Sequence, residues 1–239
     1  LPLIEMLLAR TPKNEYHVVP QDTETRTFLH DIPIIRQDQF TVENPQYLVE
    51  QLGQRKGILV EGVGIMATGS VTVEQAYINY SSVYHALFVK LLLLLLTDPQ
   101  PPTVAELEQL RPLWNQLKIE IPQLSDDLLS GPLDNKNDIL LAMDQVGKRT
   151  VELKLVDSFF GNISTCFDDQ LYISQTGASL DELPGCIDRV PNDNSSTAGI
   201  TASSELIAHR AIFERSGART ILHGHPKFSV ILSLLCQEP

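Results

Sequence analysis

The chain has 239 residues, of which 43% are hydrophobic and 20% charged, and its formal net charge is −12. This composition is typical of a globular protein and excludes a disordered or fibrous one. The acidic balance argues against nucleic acid as a partner, because nucleic-acid phosphates attract Lys and Arg. It leaves room for a small phosphorylated ligand, which backbone amides and hydroxyls can hold. The length suffices for one large domain or two small ones.

The cysteines and the start of the chain indicate the compartment. The three cysteines, Cys166, Cys186 and Cys236, cannot all pair within the chain, and none of them forms a CxxC motif. Free thiols are typical of a reducing compartment. The first residues are apolar without the basic segment that precedes the apolar part of a signal peptide. We therefore expect a cytoplasmic protein.

The first hundred residues predict an α/β segment. Asn44–Gln54 has the pattern of a short helix, and the glycine-broken apolar stretch Lys56–Gly69 predicts a buried strand or strand pair. Thr72 and Gln75 have the spacing of a capping box. They begin a long apolar helix that is expected to end near Thr97.

That helix contains six consecutive leucines, Leu91–Leu96, which raises the question of a membrane span. The apolar stretch Val83–Leu96 is interrupted by Lys90 and covers about 14 residues, fewer than the roughly 20 that a bilayer requires. The sequence therefore predicts a buried core helix and no membrane contact.

Pro99–Pro102 is the best linker candidate, and a helix over Val104–Leu117, bent or divided at Pro112, is predicted after it. Short strands and helices then alternate. The predicted helices are Asn137–Arg149, Thr201–Arg215 and Pro226–Cys236, and the predicted strands are Leu153–Leu155, Ile163–Thr165, Leu171–Ser174 and Thr220–His225. Intermixed helices and strands predict an α/β or α+β fold with a mixed sheet.

Two histidines near the end of the chain carry the strongest chemical signal. His223 and His225 flank Gly224 in a predicted strand, and alternate residues of a strand face the same side. Two neighbouring imidazoles suit zinc or a similar divalent ion. The alternative is a pair of surface histidines at the end of a strand.

An acidic helix start lies upstream of these histidines. Ser203, Ser204 and Glu205 open a predicted helix. In one interpretation a serine is the N-cap and the glutamate favours the helix dipole. In the other, Glu205 faces the histidines as a ligand or general base, while the serines and helix amides hold an anion.

Two turns rich in hydroxyls and amides fit the anion interpretation, although ordinary turns have the same composition. In chain order the motifs are GNIS at 161–164, ISQTG at 173–177, SSE at 203–205, His209 and HGHP at 223–226. This set resembles the class II aldolase/adducin family, which includes fuculose-phosphate and ribulose-phosphate aldolases. The resemblance covers residues 135–239. It implies a three-layer α/β fold of the class II aldolase type, with a mixed central sheet and helices on both faces.

The resemblance also implies roles for individual residues. His223 and His225 would be zinc ligands, and Glu205 would be the acid/base residue, which can also touch the metal. The pocket for the substrate phosphate would comprise Gly161, Asn162, Thr176, Gly177, Ser203 and Ser204. Zinc would act as a Lewis acid that stabilises an enediolate, and Glu205 or its polar partners would move the proton.

The implied activity is carbon–carbon bond cleavage in a sugar phosphate or similar hydroxycarbonyl. Family relatives also epimerise or dehydrate, and nothing in the residues separates these activities. An arginine often follows the GN-x-S turn in the family, whereas Thr165 and Cys166 follow it here, which leaves the sugar specificity open. The family forms homotetramers with the site near a subunit interface, so the resemblance implies a homo-oligomer.

Members of the family use a third zinc histidine in a downstream strand resembling GHGL, which a long helix follows. The most similar stretch lies upstream, where GVGI at 62–65 precedes the long helix and Val63 occupies the histidine position. This arrangement predicts a circular permutation, or a degenerate copy from a tandem pair within a longer protein. The alternative is an unrelated α/β unit of similar texture. A third ligand could come from His17, His30, His85 or a neighbouring subunit.

We therefore predict two segments. Residues 1–100 form an upstream α/β segment, a degenerate or permuted C-terminal half of an aldolase, and residues 101–239 form the N-terminal half that carries the metal site. A second hypothesis is a non-catalytic, adducin-like binding or assembly module, because Val63, Thr165 and Cys166 depart from the family pattern.

Overall fold

The computed structural model describes residues 2–41, 45–117, 128–156, 159–191, 193 and 195–236. The chain divides into two compact units, one formed by Leu1–Lys118 with Lys227–Pro239 and the other by Ile119–Pro226. These bounds differ from the predicted segments 1–100 and 101–239. The assignment of those segments to two halves of an aldolase stays a prediction.

The first unit contains a mixed sheet and six of the described helices. Its helices are α1 Pro2–Arg10, α2 Thr23–Leu29, α3 Gln46–Gln54, α4 Val73–Thr97, α5 Val104–Leu117 and α8 Lys227–Leu235. Its strands are β1 His17–Val18, β2 Ile32–Ile35, β3 Gly57–Val60 and β4 Gly64–Ala67, in the order β1-β2-β3-β4. The β2–β3 pair is parallel and the two outer pairs are antiparallel. The glycine-broken stretch Lys56–Gly69 therefore contains a hairpin, β3 and β4, in agreement with the prediction of a strand pair. The helix predicted over Asn44–Gln54 is α3, and Asn44 itself lies outside the described residues.

Helix α4 is the central element of the first unit's core. It begins as predicted, with the Thr72 hydroxyl accepting a hydrogen bond from the amide of Gln75 at 3.1 Å. The helix packs against α1, α2 and α8, and Leu87 and Leu91 are completely buried. By length and composition alone α4 could cross a membrane, but more than half of its most apolar window is buried inside the protein. This burial agrees with the prediction of a core helix.

The second unit contains an antiparallel sheet and two longer helices. Helix α6 spans Lys136–Glu152 and α7 spans Leu206–Ser216. The strands are β5 Gly161–Phe167, β6 Gln170–Ser174, β7 Ile187–Pro191 and β8 Thr220–Gly224, in the order β7-β6-β5-β8. Each neighbouring pair is antiparallel.

The two faces of this second sheet are covered by different helices. Ile163 of β5 packs in one apolar cluster with Ile139 and Met143 of α6. Leu171 and Ile173 of β6 pack in another cluster, with Leu206 and Phe213 of α7. Because alternate residues of a strand face opposite sides, α6 and α7 lie on opposite faces. The predicted α/β class is confirmed, and its described strands form two sheets, the first mixed and the second antiparallel.

Two sequence-based boundaries are wrong. The predicted strand Leu153–Leu155 is instead the turn that follows α6, where the amide of the C-cap residue Leu153 donates to the carbonyl of Arg149 at 3.0 Å. The helix predicted from Thr201 begins only at Leu206. The residues before it pair with the segment after β6, since the amide of Thr176 donates to Thr201 and that of Ser203 to Ser174, at 3.0 and 2.9 Å. Backbone groups satisfied in this way do not need a helix.

Candidate metal centre

The two histidines lie at the end of an edge strand. His223 is the last but one residue of β8, and His225 follows directly after the strand. Their ring centroids are 4.6 Å apart, with the rings tilted by 56°, and the ring of Phe160 lies edge-on against His225 at 6.4 Å. The prediction that the two imidazoles lie side by side is confirmed.

Strand β5 supports this end of β8. Asn162 lies opposite His223 in the antiparallel register, and Gly161 lies opposite Gly224. Gly161 has a φ of +143°, and a Cβ added there would lie 2.6 Å from the carbonyl oxygen of His223. This close approach requires glycine, because any side chain would push the histidine strand away.

Glu205 is positioned by the start of α7. Neither serine is the helix N-cap, which corrects the interpretation of the serines as caps: Glu205 itself has the N-cap position and makes no capping hydrogen bond with its side chain. The amide of Glu205 donates to the hydroxyl of Ser203 at 3.3 Å. The carboxylate is therefore free to turn towards β5 and β8.

One oxygen of Glu205 collects the polar contacts of the site. Oε2 accepts a hydrogen bond from Nδ2 of Asn162 at 2.7 Å and lies 2.5 Å from Nδ1 of His223. Nε2 of His209, one helical turn later, lies 3.9 Å from the same oxygen. Nδ1 of His209 is in turn 2.6 Å from the hydroxyl of Ser164.

The surroundings change the pKa values of two groups. Burial raises the pKa of Glu205, but the hydrogen bond from Asn162 and the charge of His223 outweigh it, so that this pKa lies below its ordinary value. Burial lowers the pKa of His209 and exceeds the opposing effect of Glu205. Glu205 is therefore a carboxylate at neutral pH, beside a neutral His209.

Glu205, His223 and His225 fit a divalent metal ion. Each offers one ligand atom, and these atoms lie within 4.8 Å of one another. Ligand atoms in a four-coordinate zinc site are about 3.4 Å apart, and imidazole nitrogens with carboxylate oxygens are common zinc ligands. Within the part of the chain that the structure describes, this is the one group of three such residues. It is also the set that the sequence predicted.

The remaining predicted site residues lie on two adjacent segments. Thr176 and Gly177 form an exposed turn after β6, and the Thr176 hydroxyl donates to the carbonyl of Ala202 at 2.8 Å. Ser203 is buried and Ser204 is exposed. The structure thus brings the Thr176-Gly177 turn next to the segment before α7, and the hydroxyl of Ser203 accepts a hydrogen bond from the amide of Glu205. Their role towards a phosphate stays a proposal.

The histidines of this chain that were considered as third ligands all belong to the first unit. His85 is 2% exposed within α4, and Nδ1 of His17 lies 3.6 Å from Oδ1 of Asp31. His30, the C-cap of α2, belongs like them to the first unit. Val63 lies in the turn between β3 and β4 with 66% of its surface exposed. An aliphatic side chain cannot bind a metal.

Sequence reasoning did not assign a role to His209 or Ser164, although both lie inside the quoted motifs. The signal for His209 was its spacing of four residues from Glu205, which places two side chains on one helix face. The signal for Ser164 was its spacing of two from Asn162, which places both on one face of a strand. The contact between them depends on the packing of α7 against β5.

The second unit is thus an α/β domain with a candidate divalent-metal site, formed by the carboxylate of Glu205 and the imidazoles of His223 and His225. Residues 142–239 match the family model described as "Class II Aldolase and Adducin N-terminal domain". That match includes β5 to β8 and the whole Glu205, His223 and His225 group. This match confirms the resemblance of residues 142–239 to the class II aldolase and adducin family that the motifs indicated.

Two solved structures illustrate the likeness. The L-fuculose-1-phosphate aldolase from Thermus thermophilus is 28% identical over 42% of this chain and 51% of its own, with a TM-score of 0.39. A second L-fuculose 1-phosphate aldolase is 22% identical over 44% of this chain and 52% of its own, also with a TM-score of 0.39. The chain thus spans about half the length of these structures. No curated protein matches the chain significantly.

Proposed function

We propose that this chain acts as a metal-dependent, aldolase-like lyase on a sugar phosphate or similar hydroxycarbonyl. The observation that carries the proposal is the group of Glu205, His223 and His225, whose ligand atoms lie within 4.8 Å of one another. The group lies inside the stretch that matches the aldolase and adducin family. Fold alone does not establish an activity, so the proposal depends on these three side chains.

Zinc is the ion that we propose for this group, because imidazole nitrogens and a carboxylate oxygen are among its common ligands. When bound, a divalent ion would polarise the substrate carbonyl and stabilise the negative charge that develops on its oxygen. His223, His225 and Glu205 would hold the ion. Metal binding would compete with protons for these groups, since each ligand binds in its deprotonated form.

Glu205 is the proposed acid/base residue. Asn162 orients its carboxylate through the hydrogen bond to Oε2 at 2.7 Å, and its lowered pKa keeps it deprotonated at neutral pH. A deprotonated carboxylate held within reach of the substrate can accept the proton that must leave before the carbon–carbon bond breaks, and can return one afterwards.

The substrate phosphate is proposed to bind where the exposed turn Thr176-Gly177 meets Ser203 and Ser204, with Gly161 and Asn162 at its border. Backbone amides and hydroxyls can hold a phosphate without a basic side chain, which suits a chain of net charge −12. A small molecule is thus the proposed partner. By the family resemblance we also propose a homo-oligomer, and from the free thiols of its three cysteines a cytoplasmic location.

Metal analysis combined with product analysis tests the proposal. The protein is expressed with supplemented metals, and bound zinc, cobalt, iron and manganese are quantified. A panel of sugar phosphates is then supplied, and Glu205→Gln is compared with Glu214→Gln, which changes an exposed carboxylate on the same helix. We expect about one divalent ion per chain and cleavage products that Glu205→Gln reduces at least about 100-fold, with Glu214→Gln like wild type.

Three other outcomes would contradict the proposal. Binding of clearly less than one metal ion per chain after supplementation would contradict the proposed metal centre. Metal without turnover of any sugar phosphate would favour the adducin-like binding module. Isomerised or dehydrated products without cleavage would assign the same site to an epimerase or dehydratase.

A further inference from the structure

A buried polar pair lies behind Glu205. The side chains of Ser164 and His209 are 0% and 2% exposed, and the Ser164 hydroxyl is 2.6 Å from Nδ1 of His209. Burying a polar pair sacrifices hydration that an apolar pair of the same size would not lose. Packing of α7 against β5 therefore does not require these two residue types.

The pair is directed at the carboxylate. His209 follows Glu205 by one helical turn, and its Nε2 lies 3.9 Å from Oε2 of Glu205. When the Ser164 hydroxyl donates to Nδ1, a neutral imidazole carries its proton on Nε2. Nε2 is also the ring nitrogen that lies on the side of the carboxylate oxygen contacted by Asn162 and His223.

Strand β5 thus reaches Glu205 by two routes. Asn162 and Ser164 are two residues apart on one face of the strand, and Asn162 donates directly to the carboxylate at 2.7 Å. Ser164 acts one step further away, through the ring of His209. Both routes lead to the same oxygen, Oε2: Asn162 donates a hydrogen bond to it, and Nε2 of His209 lies 3.9 Å from it, beyond hydrogen-bond distance.

We propose that His209, held by Ser164, is a positioning residue that keeps the Glu205 carboxylate aimed at His223 and His225. This inference rests on the proposed metal site. Partners that orient a metal ligand from the second layer change metal affinity about 10- to 100-fold when they are removed. His209 touches neither the proposed metal nor the proposed substrate.

Cobalt titration of the full chain tests the role. Metal-free wild type and variants are titrated with Co²⁺, and both the affinity and the visible absorption of the bound ion are recorded. His209→Leu removes the donor, whereas His209→Gln keeps an N–H near the position of Nε2. Ser164→Ala releases the ring. Ile173→Val is the matched control, because Ile173 is the fully buried cross-strand partner of Ser164 and faces the apolar cluster.

We expect His209→Leu to weaken Co²⁺ binding about 10- to 100-fold and to change the absorption spectrum. Ser164→Ala should shift both in the same direction, and His209→Gln should restore most of the affinity and the spectrum. Ile173→Val should leave both unchanged. Unchanged binding in His209→Leu, with Glu205→Gln still impaired, would overturn the positioning role alone.

An equal loss in Ile173→Val and His209→Leu would also overturn the role, because general destabilisation would then explain the effect. If wild type and Glu205→Gln both fail to bind Co²⁺, the proposed metal site itself fails and this inference fails with it. The behaviour of Glu205→Gln therefore distinguishes the two failures.

Discussion

The two ends of the Asn162 side-chain amide have different surroundings. Its Nδ2 donates to Glu205 at 2.7 Å, while its buried Oδ1 accepts no hydrogen bond from the described residues. A buried acceptor without a donor costs about 1–3 kcal/mol. A bound water or ligand that donates to Oδ1 would remove this cost. The side-chain N–H of Asn162 therefore orients the carboxylate of Glu205, while the side-chain oxygen of Asn162 can still accept a hydrogen bond from a bound water or ligand.

Gly161 carries a prediction at the same scale. Gly161→Ala is expected to lower the free energy of unfolding by about 3 kcal/mol, because its positive φ disfavours a side chain and the new Cβ would collide with the carbonyl oxygen of His223. Urea unfolding measures the change. Gly217→Ala is the control, since its φ of +63° is also positive but its Cβ would meet nothing within 4 Å. Equal losses in the two variants would show that the collision does not matter.

At the scale of elements, the N-terminus of α7 differs from that of an ordinary helix. A helix usually begins with a residue whose side chain satisfies the first amides. Here Glu205 occupies the N-cap position, but its carboxylate contacts Asn162 of β5 and His223 of β8 instead of the first helix amides. The backbone before it is satisfied by pairing with the segment after β6. This arrangement releases an acidic side chain for the candidate metal centre.

The leucine run of α4 gives a second prediction, with a control inside the same run. Leu91 is completely buried and Leu96 is 60% exposed. Leu91→Ala should lower the free energy of unfolding by about 2–5 kcal/mol, because it leaves a cavity in the core. Leu96→Ala should change it by less than about 1 kcal/mol. Similar effects of both changes, measured by urea unfolding, would contradict the core-helix assignment.

At the scale of the whole molecule, charge pairs join distant parts of the acidic chain. Nε and Nη2 of Arg10, in α1, donate to the two oxygens of Glu106 in α5 at 2.9 and 3.0 Å. Nη1 donates to Asp98 at 2.9 Å. The hydrogen bond from Arg10, followed by those from Thr103, lowers the pKa of Glu106 to about 2.

This pair predicts a pH dependence. A carboxyl whose pKa is lowered by folding contributes stability that is present above its unfolded pKa, about 4.5, and disappears as the pH falls towards 2. Glu106→Gln should therefore lower the free energy of unfolding at pH 7 by about 1 kcal/mol, and its difference from wild type should shrink below pH 4.5 and be lost as the pH falls through about 2. Urea unfolding at several pH values measures this. Glu108→Gln is the control, because the partner of Glu108, Arg111, lies on the same helix. It should lower the free energy of unfolding by less than Glu106→Gln does. Equal losses would show that the ion pair between α1 and α5 adds no stability.

Local pattern was enough to predict many elements. The capping spacing of Thr72 with Gln75 marked the start of α4, and alternation placed His223 and His225 on one side of β8. These features depend on residues within a few positions of one another, where helix and strand geometry decide which side chains share a face. The order of short motifs likewise identified the family that residues 142–239 match.

The sequence by itself therefore determined the α/β class, the family resemblance of residues 142–239 and the two histidines with Glu205 as the candidate centre. Only the tertiary structure decided that the described strands form two sheets, that Glu205 takes the N-cap position, and that Asn162 and the Ser164–His209 pair surround its carboxylate. Asn162 is 43 residues from Glu205, and Ser164 is 45 residues from His209. Contacts across such distances depend on which apolar faces bury one another, and local periodicity carries no information about that choice.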